Sequence, residues 1–233
     1  MMSDNGREFG QGILSIVTNH IYALALINVY FILCNGLFLV AFLLLIPSFS
    51  NMAIYFLALI PSGPAITAMF STVSKLVREK EIAPTKDFFT SYKNDFVSTM
   101  KVWLPLLAVL LILVVDFYYF NVNPSSMNQV LAGIFLVALL LVSTFSFYVF
   151  YIHAQFHFRV RDIYRLAVYY SFMKVKATTG NIAIAIIAFF LMSVLSDFIL
   201  LFIASLICYA VVLNSQTVRN DVKQHFVEQS QAS

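Results

Sequence analysis

MAIYFLALIPSGPAITAMFSTV, running from Met52 to Val73, decides how the rest of the chain is read. At about 1.5 Å per residue it is long enough to cross a hydrocarbon core of about 30 Å as a helix. Yet Pro61-Ser62-Gly63-Pro64 stands in its middle. One proline removes a backbone donor and the other repeats the loss a turn later, so the span is expected to be broken or sharply kinked. Directly after it the chain turns polar: Lys75, Arg78, Lys80, Lys86, Lys93 and Lys101 occur among Glu79, Glu81, Asp87 and Asp95. The segment 75–101 must therefore lie in water or along an interface.

Outward from this pair the same alternation repeats. Upstream, 20–46 is apolar and stops at Pro47-Ser48-Phe49-Ser50-Asn51, a turn without a basic residue. Downstream, 102–120 is apolar, the turn from Asn121 to Ser126 is uncharged, and 130–151 is apolar again. A second basic segment, 157–176, carries Arg159, Arg161, Arg165, Lys174 and Lys176 against the single acid Asp162. Hydrophobic sequence then continues to Leu213, interrupted by Ser196-Asp197. One helix of that length would overshoot the bilayer by roughly half, so two short spans, 181–195 and 198–213, are expected with Asp197 at their turn.

The expected fold is thus all-α: a single integral membrane domain over 1–233, a polytopic transmembrane helical bundle of about six spans. Composition agrees, with 61% hydrophobic and 11% charged residues and a mean hydropathy of +0.88. Lipid offers nothing to unpaired backbone groups, so helices are the expected spanning form, and the alternating pattern of a membrane β-barrel is absent. Basic loops stay cytoplasmic. With six spans and both termini inside, all 14 Lys and Arg residues fall on the cytoplasmic side. Five spans would send Arg219 and Lys223 across. The polar stretch from Met1 to Asn19 does not read as a cleavable signal. A pI near 8.8 points to anionic membrane lipids as partners and not to nucleic acid.

Catalytic signals are thin. The chain has 7 glycines and no phosphate-cradling loop, and Ser62, between Pro61 and Gly63, is not in a nucleophile elbow. His153 and His157 have metal-ligand spacing but no third ligand nearby. Cys34 and Cys208 both fall in spans and read as packing residues, with neither a disulfide nor a zinc site in view. No ionisable residue stands in mid-span, as proton coupling usually needs. No cofactor and no enzymatic activity are expected. The neutral candidates are Asn28 and Asn35, which share a face of the first span, and the break itself: Pro61, Gly63 and Pro64, with Thr67 placed to pair backbone groups that the prolines free. Such a break either shapes helix packing or lines a wet path.

Each basic segment also holds an amphipathic helix. After Pro84 the spacing aligns Phe89, Tyr92 and Phe96, with Lys93 on another face. In the second, Ile163, Leu166, Tyr170 and Met173 or Val175 form a stripe against Arg161 and Arg165. Phe89, Tyr92, Lys93, Phe96, Arg161 and Arg165 are the candidate docking residues.

The stretch Gly63-Pro64-Ala65-Ile66-Thr67-Ala68-Met69-Phe70, then Phe88-Phe89-Thr90-Ser91-Tyr92-Lys93-Asn94-Asp95-Phe96 and Trp103, resembles the YesL-like family of small bacterial membrane proteins. Leu26-Ile27-Asn28 is similar to that family's opening. The C-terminal third shares only a hydrophobic pattern. The family's biochemical function is unknown, and its members are typically encoded beside carbohydrate importers of the ATP-binding-cassette type. The resemblance implies a non-enzymatic accessory subunit whose partners are the importer's permease or ATPase, with a homo-oligomer also open. The alternative is a carrier or channel that passes a sugar or small solute unaided.

Overall fold

The structure is a computed structural model that describes residues 13–46, 48–79, 82–123, 125–194 and 199–228. These residues form helices and turns without a strand. In chain order the helices are α1 (Ile13–Cys34), α2 (Gly36–Leu44), α3 (Met52–Ala58), α4 (Ser62–Glu79), α5 (Pro84–Asn94), α6 (Phe96–Val122), α7 (Ser126–Gln155), α8 (Val160–Met173), α9 (Val175–Val194), α10 (Ile199–Asn214) and α11 (Gln216–Val222).

Three helices, α1, α6 and α7, are by themselves long and apolar enough to cross a bilayer. The total reaches five if each of two bent pairs is one span: α3 with α4, bent by 51°, and α8 with α9, bent by 98°. α10 is apolar but shorter. Large apolar side chains face outward along these helices, with Leu33 67%, Leu43 70%, Ile112 59% and Phe189 65% exposed. So much apolar surface fits a hydrocarbon surround and not water.

One expected run is divided. The first span, read as one run over 20–46, is two helices parted at Asn35. The Asn35 amide donates to the Phe31 carbonyl at 2.8 Å. A side chain that competes in this way for the carbonyl four residues back loosens the helical turn, and Asn35 leaves helical geometry at φ −96°, ψ 15°. The second basic segment, 157–176, holds α8 and the first residues of α9, which starts at Val175. The expected turn at Ser196-Asp197 lies outside the described residues.

The restart of α4 explains its prolines. The first turn of a helix has backbone N–H groups with no intrahelical partner, and in lipid those would stay unpaired. Pro64, in that turn, has no N–H to leave unpaired, and its fixed φ suits helix entry. α6 and α7 pack as a hairpin, closed where Ser125 accepts from the Asn128 N–H at 3.2 Å and where Phe120 stacks on Phe135.

The main core lies between α1, α4, α6, α7 and α10, around Ala68, Phe70, Val73, Trp103, Phe150 and Val211. A second cluster gathers Val102, Tyr148, Ile152, Ile163, Tyr170 and Val218 at the end of the bundle where α8 and α11 pack. That end also carries Arg219 and Lys174, and is called the basic end below.

Candidate functional site

The two helix breaks meet. Asn35, at the end of α1, is 2% exposed and accepts a hydrogen bond from the Ser62 hydroxyl, the first residue of α4. One residue on, Gly63 lies beneath Trp103 of α6: a Cβ added there would come within 2.5 Å of the indole ring and 2.7 Å of its Cβ. The Trp103 Nε1–H donates to the Leu59 carbonyl at 2.9 Å, at the bend itself. The group that pairs backbone at the bend is therefore Trp103, whereas Ser62 ties the two breaks together side chain to side chain. Thr67, expected in that role, is fully buried, and its hydroxyl has no hydrogen-bond partner among the described residues. It sits more than a turn into regular helix, beyond the carbonyls that the bend frees. Of the other candidates, Pro61 and Pro64 frame the crossing, whereas Asn28 is elsewhere: its side-chain oxygen accepts from the Ser205 backbone N–H of α10 at 3.1 Å.

Beside the crossing is a cavity of about 260 Å³, lined among others by Met69, Phe70, Trp103, Phe147, Phe150 and Cys208. Its walls are almost wholly apolar, and the Ser146 hydroxyl on its lining is turned back to the Val142 carbonyl at 2.6 Å.

At the basic end the side chains form two anchored helices. α5 is held by Phe88, which is fully buried, and by Asp87, which takes Lys75 at 2.8 Å and the Ala83 N–H at 3.2 Å. The hydrogen bond from Lys75 to Asp87 raises the Lys75 pKa above its usual value. The buried face thus runs through Phe88 and Tyr92, one position round from the expected stripe. Phe89 and Phe96 are each 37% exposed, and Lys93 is exposed as well. The cause is tertiary: α5 packs on α4 and α1 so that Phe88 enters the main core, while Tyr30 lies against both rings, 5.8 Å from Phe88 and 5.1 Å from Phe89 between ring centres.

α8 buries Ile163, Leu166, Ala167 and Tyr170 and leaves Arg161 and Arg165 exposed. Met173 and Val175, expected on the buried stripe, are exposed at 61% and 64% because the chain turns by 98° between them. Tyr170 and Lys174 both donate to Asp221, at 3.0 and 2.9 Å. The Lys174 hydrogen bond, more than the Tyr170 one, holds the Asp221 carboxyl below its usual pKa.

Sequence reading missed a polar clamp between α9 and α10. Asn214 donates to the Ala177 carbonyl at 2.6 Å and to the Asn181 side chain at 2.8 Å, and Asn181 reaches Ser215 at 3.3 Å. Amides flanking an apolar run were the available signal. His153 meets Thr99 at 3.0 Å and His157 lies 3.8 Å from Asp95. Among the described residues no three His, Cys, Asp or Glu side chains gather as a metal site.

The family model described as "Protein of unknown function, DUF624" matches residues 24–117. That region includes both breaks, Trp103 and α5, and ends before α7. No curated protein and no solved structure gives a match.

Proposed function

We propose that this chain is a YesL-like, non-enzymatic accessory subunit of the cell membrane that binds the permease or ATPase of a carbohydrate importer of the ATP-binding-cassette type. In this reading it has about six spans, both termini inside, and α5 and α8 as amphipathic helices at the cytoplasmic face. The observation that carries it is the pair of anchored helices. Each is fixed to its own bundle by one face, through Phe88 and through Ile163 and Tyr170, and turns a second face outward. Those outward faces hold Phe89 and Lys93 on α5 and Arg161 and Arg165 on α8, with Phe96 exposed beside them at the start of α6. Aromatic and Arg side chains on rigid elements are what partner interfaces are enriched in. The packed, hydrogen-bonded crossing at Asn35 and Ser62 supports the same reading, since it fills the break with side chains.

The test is to purify the tagged chain in mild detergent, identify what accompanies it, and measure sugar uptake in a deletion strain. Importer subunits should co-purify and uptake should fall. Recovery of the chain alone or as a homo-oligomer, with uptake unchanged, removes the proposal. One observation favours the carrier reading, namely the cavity of about 260 Å³ beside two broken helices. That reading requires solute flux in liposomes containing this chain only.

A further inference from the structure

The basic end contains polar groups that neither the packing nor the outward faces of α5 and α8 use. Ser74 on α4 is 3% exposed and Tyr151 on α7 is 1% exposed. The Ser74 hydroxyl, the Tyr151 hydroxyl and both amide atoms of Gln155 are buried with no hydrogen-bond partner among the described residues. Tyr151 stands next to Gln155, one turn on in α7, close enough to interact but outside hydrogen-bond distance and angle. Buried polar groups are rarely left this way, because each gives up the bond it had with water.

Two cations face the same spot. Arg78, one turn after Ser74 on α4, and Arg219 of α11 both act on the Tyr151 hydroxyl, and they repel each other. Arg219 has no ion pair among the described residues. Arg78 has there only a 3.5 Å contact with its neighbour Glu79, which also lies 3.8 Å from Lys75. Burial first, and then the like charge of Arg78, work against the charged form of Arg219. A guanidinium does not give up its proton to relieve such stress. An anion held beside both would relieve it, and the unpaired buried neighbours can all donate: two hydroxyls and an amide NH2. Guanidinium pairs supplemented by neutral donors match the three-oxygen face of a phosphate.

We propose that the basic end binds a phosphate group, held by Arg78 and Arg219 with Ser74, Tyr151 and Gln155 as neutral donors. An anionic phospholipid headgroup, whose phosphate is not balanced by a choline cation of its own, and a phosphorylated solute present this same chemistry.

The full chain in neutral detergent should unfold at a higher temperature with inorganic phosphate than with chloride at equal ionic strength, or do so in phosphatidylcholine nanodiscs only when phosphatidylglycerol is added. The first result assigns a soluble phosphate and the second a lipid headgroup. Arg78→Gln with Arg219→Gln should abolish the response, and Lys86→Gln should keep it. Tyr151→Phe separates binding from folding. Without ligand it should be as stable as wild type, since its hydroxyl has no partner to lose, yet bind about tenfold more weakly through the lost hydrogen bond to a charged group. The proposal is overturned if neither phosphate nor anionic lipid shifts the wild type, if the double Arg variant responds fully, or if Tyr151→Phe is destabilised without ligand.

Discussion

Two glycines among the described residues sit under a side chain from another helix, and they differ in what covers them. Gly63 lies under Trp103, whose ring and Cβ leave no room for a methyl group. Gly180 lies under Asn214, and the atoms within 2.8 Å of an added Cβ are the carboxamide carbon and its two terminal atoms. In the first seat the obstacle is the base of a rigid ring, so relief requires a shift of α6 itself. In the second it is the end of a short side chain that can rotate once its two hydrogen bonds break. The same small residue thus fixes one crossing by shape and the other by polarity.

The harshest probe of the difference is Gly63→Ala. It should destabilise the protein in detergent by about 3 kcal/mol, the upper range for overpacking a core, and Trp103→Leu in the same chain should restore part of the loss. An effect under the value for Gly180→Ala would break the comparison. Next comes Asn181→Ala, which removes the acceptor of Asn214 and the contact to Ser215. The expected loss is about 1 to 2 kcal/mol, consistent with modest interhelical hydrogen bonds in membranes. Gly180→Ala should cost about 1 kcal/mol net, because alanine's better helix propensity offsets part of the displaced Asn214 bonds.

The smallest effect sharpens the polar side of the contrast. The folded-state pKa of Asp221 is depressed, chiefly by Lys174, so its contribution is present above the usual carboxylate pKa of about 3.9 and is lost as pH falls through the folded value. Both partners are partly exposed, at 33% and 27%, so the loss should stay under about 1 kcal/mol. A thermal-shift series from neutral to acid pH, run beside Asp221→Asn, should show the two chains converging at the acid end.

The reach of the sequence follows from which groups act locally. Pro61 and Pro64 act on their own backbone, so the 51° bend was readable where it occurs. Trp103 lies forty positions from Gly63 and Asn214 lies thirty-four from Gly180, and neither spacing has a period that would reveal contact. Asn35 breaks its helix through its own side chain but does so without proline, and a polar amide in an apolar run reads equally well as a link between helices. The stripe on α5 missed by one residue because Phe88 and Phe89 are the same type. Only the packing of α5 against α4 and α1, which seats Phe88 in the main core, selects between them. Thr67 is close in sequence to the groups that the prolines free, whereas the bend places the Leu59 carbonyl within reach of an indole from another helix.

The meeting of the breaks at Asn35 and Ser62 also has a mechanical side. α2 and α3 are short and pack on each other, and each leaves the main bundle at one of the two breaks. The Asn35–Ser62 hydrogen bond thus joins the roots of both short helices, a single residue away from Gly63 and the indole that covers it.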